Sequence, residues 1–286
     1  MIVDRRGFLS MAAGAWTAGL AACAGRPSDT SGGAPPLDGL WQRHVPGSMR
    51  EVDHSALAFL LERYVLKRSD GVHLFAYGDL DAEDRTALDD YIRTLSGFAI
   101  DSLDRREQYA YWLNLYNALV LRLVISRYLV LSIRDITFGL GPFGDGPFER
   151  PLVAVLGQPV SLSDIRSRIL WPIFKDPRLH YGLCDAAVGS PNLQPRVFTG
   201  ERVDRMLDGA ALDYVNHPRG VRLDGQDLVL SDLYRRYAPH FGGDFSQVAA
   251  HLRLYGGISL LPSLRAGKTV RYAFDWALND GTGLRN

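Results

Sequence analysis

The chain has little that would suit a nucleic-acid-binding, metal-binding or integral membrane protein. Its 32 basic and 32 acidic residues give a formal charge of zero, which argues against nucleic acid as a partner because phosphates require a basic surface. The seven histidines are scattered without the paired spacing of metal ligands, so we predict no metal and no cofactor. Beyond the first apolar segment, no run is long enough to cross a bilayer, which takes about 20 residues. The 47% of apolar residues predicts an ordinary globular core.

The N-terminus has the order of an export signal. Arg5-Arg6 precedes an apolar segment that ends at Ala22. A paired arginine before a short apolar core is typical of a twin-arginine signal, which is a receptor-read address and not an anchor. The motif Leu20-Ala21-Ala22-Cys23 resembles a bacterial lipobox, in which Cys23 is acylated. We therefore predict a twin-arginine-type lipoprotein signal peptide at residues 1–22 and lipidation of Cys23. Plain signal cleavage nearby, with the cysteine incidental, is the alternative.

Export and lipidation set the expected location. Twin-arginine substrates cross the membrane folded, so we predict a periplasmic, membrane-anchored lipoprotein that holds the membrane through the lipid at Cys23. Ala24 is not the acidic residue associated with inner-membrane retention, which favours the outer membrane. With Cys23 acylated, Cys184 is the only thiol left, and no internal disulfide is possible. Residues 23–39, rich in Gly, Pro, Ser and Asp, are predicted to be a flexible tether, and residues 40–286 a single globular domain.

Hydrophobic periodicity in the body of the chain predicts helices mixed with short strands. The predicted elements are helices from Asp53, Asp81, Arg105, Ser161, Thr199 and Asp244, hairpins over Leu152–Leu162 and Val221–Leu230, and strands at Leu179–Leu183 and Val270–Phe274. This order predicts an α+β fold, with helices packed around a small, mostly antiparallel sheet with hairpins. The glycine-rich stretch Gly139–Pro147 lacks the Lys-Ser or Lys-Thr of a phosphate-binding loop, so we interpret it as a mobile surface loop or lid.

The helix predicted from Arg105 to Tyr128 is apolar nearly all round, which is typical of a helix in the middle of a protein. Three polar side chains, Glu107, Asn114 and Asn117, lie on it. Burying them without partners would cost on the order of several kcal/mol, so each is expected to make hydrogen bonds. The asparagines either tie down a neighbouring loop, which we favour, or bind a ligand directly.

Three segments of the chain resemble the signature segments of a known family. They are Tyr111–Leu119 (YWLNLYNAL), Asp176–Leu183 (DPRLHYGL) and Tyr272–Asn279 (YAFDWALN). Their order and spacing are similar to those of domain-of-unknown-function family 547, and the resemblance covers most of the chain from about Leu95 to Asn279. Because the biochemical role of that family is not settled, the resemblance implies a type of domain and not an activity.

The departures from the family pattern bear on chemistry. Relatives typically carry Asn-Cys after the second segment and then Ser-Cys-Pro, where this chain has Cys184-Asp185 and Gly189-Ser190-Pro191. Relatives also usually carry Ile-Glu-His in the helix after the first hairpin, where this chain has Ile165-Arg166-Ser167. The resemblance therefore implies that both usual cysteines, an acid and an imidazole are absent here.

The candidate catalytic residues are His180, Cys184 and Ser190. His180 is the surviving candidate base, and either of the other two is the candidate nucleophile. On a strand, His180 and Cys184 would share a face but stand about 13 Å apart, so their spacing predicts no direct dyad. Ser190 would also need a well-placed base and an oxyanion hole. The alternatives are a structural His180 bonded to a helix asparagine or to Asp275, and Cys184 as a small apolar core residue.

Two functions of different classes follow. The first, which we favour because the usual reactive groups are missing, is a lipid-anchored envelope protein whose domain binds a small molecule, a peptide or an envelope protein without catalysis. The candidate ligand-binding residues are Glu107, Asn114, Asn117, Asp185 and Asp275. The second is a hydrolase or acyl-transfer enzyme acting on a peptide or cell-wall substrate through His180 with Cys184 or Ser190.

Overall fold

Helices are the commonest regular element of the fold. The computed structural model describes residues 39–139, 146–258, 260–264 and 268–284. The predicted signal peptide, the lipidation site Cys23, the tether up to residue 38 and residues 140–145 of the glycine-rich loop lie outside the described residues. The described residues all belong to one compact unit of the chain, Ala34–Asn286.

The predicted helices are present among the described residues, although the one predicted from Thr199 begins at Val203 and a short helix at Asp232–Arg236 was not predicted. The described α-helices are α1 (Ser55–Tyr64), α2 (Ala82–Ser96), α3 (Arg105–Ser126), α4 (Trp171–Phe174), α5 (Leu179–Gly182), α6 (Val203–Val215), α7 (Asp232–Arg236) and α8 (Phe245–Tyr255). The capping residues read from the sequence act as expected at α2 and α8. Asp81 accepts a hydrogen bond from the Asp84 amide at 2.8 Å, and Asp244 accepts one from the Gln247 amide at 2.9 Å.

Helix α3 forms the centre of the larger hydrophobic core. Asp104 caps it by accepting a hydrogen bond from the Arg106 amide at 3.0 Å. Nearly every side chain from Glu107 to Ile125 is buried, which confirms the predicted central helix, although the helix ends at Ser126 and not at Tyr128. Among the described residues, no helix is both long enough and apolar enough to span a bilayer.

The strands form small separate sheets. They are β1 (Val65–Lys67), β2 (His73–Phe75), β3 (Pro151–Val155), β4 (Gln158–Ser161), β5 (Val221–Asp224), β6 (Asp227–Ser231) and β7 (Val270–Ala273). Each of the pairs β1–β2, β3–β4 and β5–β6 is antiparallel, whereas β7 joins β6 in parallel. Both predicted hairpins and the final strand are present, which confirms the α+β prediction. The β1–β2 pair was not predicted, and Val65, which the helical period assigned to the first helix, begins β1.

The strand predicted at Leu179–Leu183 is wrong, because this segment forms the short helix α5. A short run that is buried on all sides carries no period that separates strand from helix. The preceding turn decides the outcome: Asp176 accepts a hydrogen bond from the Arg178 amide at 2.9 Å through its side chain and one from the Leu179 amide at 3.1 Å through its carbonyl. His180 and Cys184 consequently do not share the face of a strand.

Helix α5 lies between two hydrophobic cores. Leu179 and Leu183 belong to the larger core around α3, whereas Tyr181 belongs to a smaller core built from α6, α8 and the β5–β6 hairpin. Because consecutive side chains of a helix point in different directions, this single turn joins the two cores and buries His180 between them.

The helix predicted from Ser161 begins as a π-helix, Asp164–Leu170, and runs on into α4. Ser161 and Asp164 cap it reciprocally, since the Asp164 amide donates to Ser161 Oγ and the Ser161 amide donates to Asp164 Oδ2, both at 3.0 Å. The helix continues past Pro172 and ends at Phe174, two residues later. The π-helix places Arg166 in the protein interior.

Candidate functional site

The polar side chains of α3 hold two loops against the core. Both oxygens of the buried Glu107 accept backbone hydrogen bonds: Oε1 from the Val52 amide at 3.0 Å and Oε2 from the Gly200 amide at 2.7 Å. Glycine is needed at position 200, because a Cβ atom there would stand 2.8 Å from Glu107 Oε2. This carboxylate is thus fully occupied in joining distant segments of backbone.

Asn114 and Asn117 make the contacts that the structural interpretation predicts. Asn114 donates to the Phe198 carbonyl at 2.8 Å and accepts from the Phe198 amide at 3.0 Å. Asn117 donates to the Gly182 carbonyl at 2.9 Å and accepts from the Cys184 amide at 3.0 Å. Each amide therefore replaces a missing backbone partner and fixes a loop, which leaves little of either side chain for a ligand.

Arg166 and Asp185 form a buried ion pair beside α3. They are only 4% and 3% exposed, and Arg166 Nη2 lies 2.5 Å from Asp185 Oδ1. The Tyr116 hydroxyl donates to Asp185 Oδ1 at 2.6 Å and accepts from Arg166 Nη2 at 2.8 Å. The Tyr237 hydroxyl accepts from Arg166 Nη1 at 2.6 Å, and the guanidinium lies 5.0 and 5.1 Å from the centres of the Tyr116 and Tyr237 rings.

Both members of the pair stay charged. Burial by itself would raise the pKa of Asp185, but the Arg166 guanidinium outweighs it and lowers that pKa below the ordinary value. Burial would likewise lower the pKa of Arg166, but Asp185 and the neighbouring tyrosines raise it well above the ordinary value. Removing one partner would therefore leave an uncompensated charge in the interior.

Three positions at which the chain departs from the pattern of the family that it resembles lie close together. The resemblance sets Asp185 at one usual cysteine position, Ser190 at the other and Arg166 at the usual glutamate position. Arg166 pairs with Asp185, and the Asp185 amide donates to Ser190 Oγ at 2.8 Å. A charged, hydrogen-bonded cluster thus occupies the place where the resemblance implied two cysteines and a glutamate.

A cavity of about 220 Å³ opens against this cluster, and we call it the arginine cavity. It is lined by Tyr116, Phe148, Glu149, Leu162, Ser163, Arg166, Arg236 and Tyr237. One N–H of Arg166, at Nε, is buried without a hydrogen-bond partner in the part of the chain that the structure describes, whereas its other nitrogens bind Asp185 and two tyrosine hydroxyls. The arginine cavity therefore has a buried donor in its wall.

Arg236 is the second cation of the arginine cavity. Its side chain is 27% exposed, and its Nε and Nη2 atoms are buried without hydrogen-bond partners among the described residues. The guanidinium lies 4.8 and 4.9 Å from the ring centres of Phe274 and Trp276, which holds its plane in place. Its ion pair with a described residue, from Nε to Asp232 Oδ2 at 3.3 Å, is shared because Arg235 Nε binds the same carboxylate at 2.5 Å.

His180 contacts another histidine and none of the partners expected from the sequence. The structural interpretation placed a helix asparagine or Asp275 beside it, and this is wrong: His180 Nε2 lies 2.9 Å from His240 Nδ1. The His180 ring stacks on the Tyr237 ring with ring centres 4.4 Å apart, and the His240 ring stacks on the Trp171 ring with ring centres 3.9 Å apart. Burial, followed by the nearby Arg166 charge, lowers the pKa of His180 well below the ordinary value, so the ring is neutral.

Cys184 and Ser190 are buried and are not paired with His180. Burial raises the pKa of the Cys184 thiol to about 11, which disfavours the thiolate that a nucleophile requires. Ser190 is fully buried, and its Oγ accepts the Asp185 amide. Among the described residues no hydrogen bond joins His180 to either group, so the structure does not assemble the candidate catalytic residues into a nucleophile and base.

Asp275 lies apart from the other candidate residues. Its side chain is exposed, and its Oδ1 accepts a hydrogen bond from the Ala277 amide at 2.9 Å. Its carbonyl accepts one from the Gly189 amide at 2.8 Å. It lines a separate surface depression with Arg219 and Arg222, so it is not part of a pocket floor with Asn114 and Asn117.

Sequence reasoning missed the residues that line the arginine cavity. The sequence presents Tyr116 only as part of an apolar helix, and Arg166 only as a departure from the pattern of the family that the chain resembles. A usable signal was present at Arg166, because a charged residue between Ile165 and Ile169 breaks an apolar stripe and must find a buried partner. Arg236 carries no such signal, since the described fold alone brings it to the cavity.

Comparison with known proteins identifies a domain and no activity. Residues 100–215 match the family model DUF547, described as a protein of unknown function, which supports the domain family expected from the signature segments. No curated protein and no solved structure matches the chain. Among the described residues, no group of three or more histidine, cysteine, aspartate or glutamate side chains is placed to hold a metal ion.

Proposed function

We propose that this protein is an exported, lipid-anchored envelope protein whose domain binds a small anionic ligand in the arginine cavity without catalysis. The lipid at Cys23 would hold it on the periplasmic face of a membrane, the outer membrane by preference. The sequence from Arg5 to Cys23 supports the export and lipidation. The cavity supports the binding.

The observation that carries the binding proposal is Arg236 Nη2, a buried N–H group that has no hydrogen-bond partner among the described residues, whereas Nε meets the Asp232 carboxylate at 3.3 Å. Buried N–H groups are nearly always paired, so a group without a partner calls for an explanation. Arg236 lines a cavity and is held in plane by aromatic rings. A rigid guanidinium fork matches the geometry of a carboxylate or phosphate. A bound anion would supply the partners that Arg236 lacks.

Arg166 lines the same cavity. Its Nε donor has no partner among the described residues, and its remaining N–H groups are fixed by Asp185 and two tyrosine hydroxyls. The ion pair therefore orients Arg166 without neutralising its free donor. The volume of about 220 Å³ is below the roughly 300–1,000 Å³ of typical small-molecule pockets, which favours a compact ligand.

The hydrolase or acyl-transfer alternative gains no support from the geometry. A nucleophile needs an activating base within hydrogen-bond reach, whereas His180 binds His240 and the Cys184 thiol has a raised pKa. Binding without catalysis is for this reason the function that we propose.

A titration of the full-length protein in detergent tests the binding. The probes are 3-phenylpropionate, propionate and inorganic phosphate, and calorimetry measures the binding of each. We expect at least one to bind and Arg236→Gln to weaken it by about tenfold or more, the value of a lost charge-assisted hydrogen bond pair. Arg235→Gln is the matched control, because Arg235 shares Asp232 but is 65% exposed and does not line the cavity. If neither these probes nor the amino acids titrated below bind, or if both variants bind as the wild type does, the binding proposal fails.

Metabolic labelling tests the anchor separately. Radiolabelled palmitate should enter the wild-type protein in vivo and should not enter a Cys23→Ala variant, which would leave the membrane fraction. Labelling that persists in the variant, or a mature form that begins beyond Cys23, would contradict the lipid attachment without bearing on the arginine cavity.

A further inference from the structure

We infer that the ligand of the arginine cavity is a zwitterion of the α-amino acid type, with its carboxylate at Arg236 and its ammonium group at Glu149. This inference rests on the proposed anion-binding function and specifies its ligand class. Three features of the cavity support this ligand class: the lining residues carry charges that they do not balance among themselves, several of these residues are aromatic, and the cavity is small.

The charges of the arginine cavity balance except for one of each sign. Arg166 is neutralised by Asp185. Asp232 serves both Arg235 and Arg236, so these three residues together keep one positive charge.

Glu149 supplies the unbalanced negative charge. It lines the same cavity, is exposed at its mouth, and forms no ion pair with a basic residue of the described chain. The polar neighbour of its carboxylate is Ser163, whose Oγ lies 3.5 Å from Oε1. A ligand with only negative charge would be drawn to Arg236 and repelled by Glu149, whereas a ligand that also carries an ammonium group would meet an opposite charge at both ends.

The walls between the two charged ends are aromatic. Phe148, Tyr116 and Tyr237 line the cavity, and Phe148 packs edge to face against Trp276 with ring centres 6.2 Å apart. Aromatic faces attract an ammonium group and also bury an apolar side chain. The volume of about 220 Å³ favours a ligand of about the size of one amino acid.

Deletion of one charge of the ligand at a time tests this inference. Full-length protein in detergent is titrated with L-phenylalanine, with 3-phenylpropionate, which lacks the ammonium group, and with 2-phenylethylamine, which lacks the carboxylate. L-alanine and propionate repeat the comparison with a smaller side chain. Each amino acid is compared with the acid of the same side chain. For at least one of these two pairs, we expect the amino acid to bind more tightly than the acid by a factor of about ten or more. We expect 2-phenylethylamine to bind most weakly.

Glu149→Gln then assigns the preference to one residue. This variant should bring the affinity for the amino acid to that for the corresponding acid while leaving the affinity for the acid unchanged or stronger. Glu201→Gln, at an exposed glutamate that does not line the cavity, is the control and should keep the preference. If the acid binds as tightly as the amino acid, or if Glu149→Gln keeps the preference, the zwitterion inference is overturned while anion binding stands. If neither the acids nor the amino acids bind, both fail together.

Discussion

At the scale of single residues, substitutions in the buried ion pair of Arg166 and Asp185 are expected to have the largest effect on stability. Arg166→Met or Asp185→Leu alone leaves one charge unpaired in the interior and should lower the free energy of unfolding by about 3–5 kcal/mol, whereas the double variant should recover most of this loss because it removes both charges. Urea denaturation followed by circular dichroism measures the change. Additive losses in the double variant would contradict a direct ion pair.

Cys184 provides a residue-scale test of the noncatalytic account. Because burial raises the pKa of its thiol to about 11, iodoacetamide should react with the native protein at neutral pH much more slowly than with the urea-unfolded protein, by about a hundredfold or more given an ordinary thiol pKa near 8.5. The measurement is mass spectrometry of the alkylated protein against time. Rapid native alkylation with an apparent pKa below 8.5 would instead favour a cysteine nucleophile.

Residue identities alone could predict the kind of contact but not the partner. Burial of Asn114 and Asn117 on an apolar helix required hydrogen bonds, and backbone groups provide them. His180 was also expected to bind a polar group, but its partner His240 is 60 residues away in sequence. Nothing local to either histidine marks that contact, since it depends on how α5 packs against the turn that follows α7.

At the scale of elements, α3 is expected to fix the loops that it touches. Asn117→Leu removes the partners of the Gly182 carbonyl and the Cys184 amide, each of which would stay buried at a cost of about 1–3 kcal/mol. The melting temperature should therefore fall by several degrees, with m-values and helix content as in the wild type. Ser126→Ala, at the end of the same helix, is the control and should change stability by less than about 0.5 kcal/mol.

An unchanged melting temperature of Asn117→Leu together with lost ligand binding would contradict the structural role. It would show instead that Asn117 contacts the ligand.

Elements with a chemical signal at their ends were predictable, and short buried ones were not. Asp81 and Asp244 cap their helices as read from the sequence, and the turn glycines Gly157 and Gly225 adopt the positive φ that a tight hairpin requires. The segment Leu179–Leu183 was mistaken for a strand because a buried run has no exposed face to reveal its period. The three-residue strands β1 and β2 are too short to show alternation.

At the scale of the whole molecule, acid should destabilise the fold. Burial lowers the pKa of each of His54, His240 and His251 to about 4, against about 6.5 in the unfolded chain. Between these values the unfolded state binds more protons, so the free energy of unfolding is fully retained above about pH 6.5 and falls as the pH drops toward about 4. We expect the free energy of unfolding to fall by at least about 1 kcal/mol for each pH unit between about pH 6.5 and about pH 4.

Denaturant titrations at several pH values measure that slope. His251→Gln should reduce it, because one of the buried imidazoles would no longer titrate. A free energy of unfolding that stays constant from about pH 6.5 to about pH 4 would contradict neutral, buried histidines.

The arginine cavity is a property of the whole fold. Its lining comes from α3, from the segment before β3, from the π-helix and from the end of α7, and these are joined only by tertiary packing. The sequence could therefore predict the fold class, the central helix and its buried amides, but not the site that we now propose. Asn114 and Asn117, which the sequence offers as candidate ligand-binding residues, bind backbone groups.

Nuclear magnetic resonance of the arginine side chains tests the central claim most directly. Full-length protein labelled with nitrogen-15 at arginine Nε is titrated with the tightest-binding probe, and Arg236→Gln and Arg219→Gln assign the two relevant Nε–H signals. The account predicts that the Arg236 signal shifts saturably while the signal of Arg219, which lines the separate surface depression, stays in place. A shift at Arg219 with an unmoved Arg236 would show that the ligand binds elsewhere and would contradict the account.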